Sequence, residues 1–144
     1  MKNIFSSVSC IIYVTIILLS CGTQNESNEE LKDEVIAIHD EVMPKMGELK
    51  TLKKNILAVS ETLYQEDSVM HAELIGKLES LAERMDQAFD GMFVWMRQYK
   101  PGSEDMSEKE YREYLLDQKE KVQKVNADIK ATMNEAKVIL DAKG

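Results

Sequence analysis

The chain has 144 residues, 26 acidic against 18 basic for a net charge of −8, and 44% of it is apolar. That length suits one domain, the apolar share excludes a disordered chain, and the acidic balance argues against nucleic acid, whose phosphates need a basic face. Only 2 Pro and 6 Gly leave few places to turn, so many short strands are excluded in favour of helices.

Residues 1–20 read as a signal peptide. Lys2 is their only charge, and the apolar stretch Ile11 to Leu19 that follows falls short of the roughly 20 residues a membrane span needs. Leu18-Leu19-Ser20-Cys21 has the layout of a bacterial lipobox, with a branched apolar residue, then a small residue, then the cysteine that is acylated. Cys21 is therefore the expected lipidation site and the first residue of the mature chain. More than one acyl chain holds a protein firmly on a membrane. Cys10 leaves with the signal, so Cys21 has no partner for a disulfide. Residues 21–28 form the lipidated cysteine and a polar linker, GTQNESN after Cys21. Seven such residues reach at most ~25 Å, which keeps the following domain close to the bilayer.

Residues 29–144 are expected to be an all-α, up-down-up antiparallel three-helix bundle, with helices at about 29–65, 68–99 and 108–142. In the first, Leu31, Val35, Ile38, Val42, Lys45, Leu49, Leu52, Ile56, Val59 and Leu63 keep helical spacing. Pro44 interrupts the backbone bonding but not the rhythm, so a single helix kinked at Pro44 is predicted. Asp67 or Ser68 is the expected cap of the second helix. Its stripe runs His71, Ile75, Leu78, Ala82, Met85, Phe89, Met92, Met96, Tyr99, widened by Leu74, Leu81, Ala88 and Trp95. Lys100-Pro101-Gly102-Ser103 ends it. Ser107 and Glu110 form a capping box for the third helix, whose stripe is Tyr111, Leu115, Gln118, Val122, Val125, Ile129, Thr132, Ala136 and Ile139. Helices of ~33 residues would each be ~50 Å long, and short connections make neighbours antiparallel. A dimeric coiled coil is the alternative that heptads alone leave open.

The lipobox, the segment His39 to Leu49 (HDEVMPKMGEL) and the segment Ala88 to Tyr99 (AFDGMFVWMRQY) resemble small Bacteroidota envelope lipoproteins often labelled "viral A-type inclusion protein". The resemblance covers residues 18–101; the third helix matches only as a heptad pattern. It implies a helical lipoprotein of the bacterial cell envelope, at the outer membrane, with the periplasmic or surface face undecided. The label reflects generic coiled-coil similarity and carries no activity or site residues.

No catalytic constellation is expected. There are two histidines, His39 and His71, and HExxH, GxSxG, P-loop and CxxC patterns are absent. His39-Asp40 is an HD dipeptide without the further histidines that metal phosphohydrolases use. The reading is thus a non-enzyme with no cofactor and no metal, lipid-anchored through Cys21, with a structural or protein-interaction role toward an unknown envelope partner. The methionines are the unusual feature. His39, Met43 and Met46 share one helical face. With the connection centred near residue 66, they meet Met85, Phe89, Met92, Trp95 and Met96 of the second helix, and Tyr111 and Tyr114 approach the same end. Methionine as irregular core filler explains this. The alternative is a soft-metal, copper-binding site drawn from His39, Met43, Met46, Met92 and Met96. A haem between His39 and a methionine would lack the CxxCH needed for covalent attachment.

Anchoring through Cys21 has a direct check. Cys21→Ser should move the protein from the membrane fraction to the soluble envelope fraction. Retention in the membrane pellet would remove the lipoprotein assignment.

Overall fold

The computed structural model describes residues 27–142, so the expected signal peptide and Cys21 lie outside the described residues. The elements are α1 (Asn28–Val42), a 3-10 turn (Met43–Lys45), α2 (Met46–Asp67), α3 (Ala72–Gln98) and α4 (Glu108–Asp141). They make an all-α bundle of three rods, α1 and α2 together forming the first.

Local chemistry sets the ends. Ser27 caps α1: its hydroxyl accepts from the Glu30 N–H at 3.2 Å, and the Glu30 carboxylate accepts from the Ser27 N–H at 2.6 Å. This capping box moves the helix start to Asn28, inside the expected linker. Ser107 and Glu110 repeat the motif at α4. The second cap is a correction. Asp67 stays in α2, and its carboxylate accepts from the Val69 and Met70 N–H groups at 3.0 and 2.8 Å. The turn is thereby closed, and α3 begins only at Ala72, after His71.

Pro44 sits in the 3-10 segment, where its missing N–H leaves the Asp40 carbonyl without its helical donor. Met43 N–H bonds to the His39 carbonyl and Met46 N–H to the Met43 carbonyl. Val42, Met43, Lys45 and Met46 all keep right-handed helical backbone angles. The first rod is therefore one kinked helix. Val35, Val42, Leu49, Ile56 and Leu63, seven residues apart, are buried on both sides of the kink. The seam place expected for Lys45 goes to Met46, which is buried while the lysine stays in water, since burying a charge is costly. On α4, Asn126 and Met133 are buried, whereas Val125 is only partly so.

The rods are not equal. The first spans 28–67, against 72–98 for α3 and 108–141 for α4. Cross-rod polar pairs fix their directions. Glu34, Glu41 and Glu48 meet Lys119, Lys130 and Lys137 in the same order, so the first rod and α4 are parallel. Lys53 bonds to Asp86 at 2.5 Å, and one Arg84 nitrogen donates to both Glu135 carboxylate oxygens at 2.8 and 2.9 Å; with the short 68–71 connection joining the ends of α2 and α3, α3 runs antiparallel to both. The topology is up-down-up. The Lys53–Asp86 pair shifts the α2/α3 register about two turns from the expected one, because the connection lies beyond residue 66 and α3 starts late. Near Asn28, the rods enclose a small separate core of Leu31, Tyr111 and Leu115 with Met106 and Tyr114 against it.

Pro44→Ala should stabilise this fold. It returns a donor to the Asp40 carbonyl and relieves Met43, held helical before a proline. Those gains outweigh the unfolded-state entropy that proline removes, about 0.4–1 kcal/mol. A net gain of about 1 kcal/mol is expected, read as a higher midpoint in a thermal melt followed by circular dichroism. A lower midpoint would mean that the proline itself shapes the rod.

Candidate functional site

The chemically distinctive part of the molecule lies where α1, the C-terminal end of α3 and the start of α4 meet. His39 lies inward on α1, one turn before the 3-10 segment. Its Nδ1 is 2.8 Å from an Asp40 carboxylate oxygen. The short Asp40 side chain closes on the ring of its neighbour, which lies along the helix surface. The imidazole rests against Trp95, with centroids 5.6 Å apart. From there an aromatic row continues: Trp95 on Tyr99 at 4.9 Å, Tyr99 near Tyr114 at 6.3 Å, and Tyr114 near Tyr111 at 6.2 Å.

Two members of this row clamp the connection between α3 and α4. Tyr111 donates its hydroxyl to the Pro101 carbonyl at 2.8 Å, and the Tyr114 hydroxyl accepts from the Lys100 N–H at 2.6 Å. Three polar atoms in the row have no partner although they are buried: His39 Nε2, Trp95 Nε1 and the Tyr99 hydroxyl. Buried polar atoms are ordinarily paired, so this concentration in one place marks the site. Burial first, then the charges of Tyr111, Tyr114 and Glu29, push the Tyr99 phenol up to about 12. Burial also raises Tyr111.

The methionines singled out from sequence differ in burial. Met46 and Met92 are buried in the main core, beside Met85. Met43 is half-buried and packs against that core. Met96 is 38% exposed and faces water. The structure brings His39 against Trp95 and places Met43, Met46 and Met92 in or against one core. Met133 of α4 joins the same core; its place one residue past Thr132 on the α4 stripe was a legible signal. Among the described residues no three His, Cys, Asp or Glu side chains gather as a metal-binding group. His71 belongs to the opposite end, where its Nε2 lies 3.9 Å from Glu66.

Elsewhere, Asn126 is buried on α4 and donates to the Ile38 carbonyl at 2.8 Å and to the Glu41 carboxylate at 3.0 Å. Lys130 and then Asn126 hold the Glu41 carboxyl below its ordinary range. A groove of ≈ 440 Å³ between α3 and α4 is lined by Arg84, Ala88, Gly91, Lys124, Asp128 and Thr132, among others. Comparison with protein-family models, curated proteins and solved structures finds no match.

The unpaired Tyr99 hydroxyl carries a pH dependence whose sign follows from its shift. Its folded value of about 12 lies above the ordinary 10.0. The folded state therefore holds the proton where the unfolded chain releases it, and stability falls as pH rises through that interval. Tyr99→Phe should flatten this alkaline loss and remove the last step of the tyrosinate absorbance titration. An unchanged titration would mean that Tyr99 ionises freely.

Proposed function

We propose that the chain is a lipid-anchored protein of the bacterial cell envelope, held at the outer membrane by acyl chains on Cys21. In this reading its bundle is a non-catalytic spacer that presents a docking end to another envelope protein. The family resemblance of residues 18–101 belongs to the same proposal. α1 begins at Asn28, seven residues after Cys21, so the base of the bundle would stand close to the bilayer. The first rod is about 60 Å long at the usual helical rise. No described helix is long and apolar enough to cross a membrane; the acyl chains supply the anchorage.

The observation that carries the interaction role is the far end of the bundle. Val69 is 86% exposed, Met70 77% and Tyr64 61%. Two large apolar residues on the turn and an aromatic one helical turn below it are a costly thing to leave in water. The flanks carry ion pairs such as Arg84–Glu135 and Lys53–Asp86, and their exposed apolar residues, such as Val138 and Leu116, stand singly in sequence. Exposed apolar groups that cluster, rather than scatter, mark interaction surfaces. Their rigid presentation by the Asp67-capped turn lowers the ordering cost of binding.

A photo-crosslinking residue placed at position 70 in cells should give one discrete adduct. The same residue at exposed Lys54, on the flank, should give none. Val69→Asp should abolish the adduct at 70 while leaving the thermal midpoint unchanged. No adduct at 70, or equal capture at both positions, would remove the tip as the docking end.

A further inference from the structure

We propose that His39 and Met43 form a copper(I) site faced by the ring of Trp95. This goes beyond the interaction role and stands independently of it.

His39 is the centre of the site. With Nδ1–H donating to Asp40 at 2.8 Å, the other nitrogen, Nε2, presents its lone pair. That atom is buried and has no hydrogen-bond partner. A lone pair so placed calls for a donor or a Lewis acid. The carboxylate on the opposite nitrogen is the usual support of a metal-ligating histidine, fixing the tautomer and raising the basicity of the ligand nitrogen.

The neighbouring donors select the metal. Among the described residues no third His, Cys, Asp or Glu is grouped with His39 and Asp40, which disfavours zinc and hard cations. The donor at hand is a thioether. Met43 lies one turn on, its N–H bonded to the His39 carbonyl, so the two side chains share a face. It is half-buried against the core, not locked within it as Met46 and Met92 are. Imidazole with thioether suits copper(I) among the biological metals. Trp95 completes the setting. Its ring lies 5.6 Å from the imidazole, and the electron-rich face of tryptophan attracts a cation.

Trp95 is the only tryptophan of the chain, so its fluorescence reports on this site alone. The experiment titrates copper(I), kept reduced with ascorbate, into the full chain purified in detergent, against a chromogenic copper(I) chelator. The expected result is one-to-one binding that quenches the Trp95 emission. Asp40→Asn should weaken it about 10–100-fold, the usual cost of losing an orienting partner, and His39→Ala by at least as much. Met43→Leu, which conserves volume, should weaken binding with the thermal midpoint unchanged, so it decides the matter even if His39→Ala fails to fold. No one-to-one binding, binding without quenching, or binding indifferent to Met43→Leu and Asp40→Asn would each overturn the proposal. In those cases a bridging water accounts for the unpaired nitrogen.

Discussion

The structure depends on one continuous register running through Pro44. Val35, Val42, Leu49, Ile56 and Leu63 are buried seven residues apart, two before the proline and three after it. A straight α-helix drifts about 20° per heptad, so a stripe this long would wander off its partners. The 3-10 turn at Met43–Lys45 rotates the chain further per residue than an α turn does, in the sense that offsets the drift. The 3-10 turn therefore falls where tightening is useful, and the rod keeps one face on the core along its whole length.

The polar pairing rides on that register. Glu34, Glu41 and Glu48 share the heptad spacing, and α4 answers them with Lys119, Lys130 and Lys137. Each exposed pair contributes little on its own. Their consistent order matters more, because it favours the parallel match of the first rod with α4 over slipped alternatives. Asn126 sharpens this. It is buried, and only one alignment satisfies it, with the Ile38 carbonyl and Glu41 as acceptors. A single buried asparagine is an established way to set register. α3 then fits antiparallel between them, held by Lys53–Asp86 on one side and Arg84–Glu135 on the other.

Unequal rods explain why the unusual chemistry gathers at one end. α3 stops at Gln98, while α1 continues toward Asn28 beneath it. The space is closed by the connection to α4 and by the tyrosines that clamp it. His39, Trp95 and Tyr99 meet there, at the boundary between the main core and the small core of Leu31, Tyr111 and Leu115. Packing in the gap is by aromatic faces, which fill volume but leave ring nitrogens and a hydroxyl without partners.

The heptads, the Ser107–Glu110 box, the Pro101-Gly102 stop and the unbroken rhythm through Pro44 were all legible as three helical rods in an all-α bundle. Local signals act within a turn or two of helix, which is why a single chain can show them. The Ser27–Glu30 box was equally legible but is easily read as linker. Register was not legible. It turned on where the α2–α3 connection closes, and Asp67 closes it by binding two N–H groups beyond its own helix. The contact of His39 with Trp95 was within the expected cluster, while the Lys53–Asp86 pairing lies about two turns from it. Shared faces within α1 and the core reading of Met46 and Met92 follow from periodicity, but which side chains meet across rods is decided by long-range packing. The elements and their apolar faces follow from periodicity along the chain, because those depend on neighbours three and four residues away. Only the tertiary structure decided the site, because it is made by residues some 50 positions apart whose meeting depends on the exact length of every turn between them.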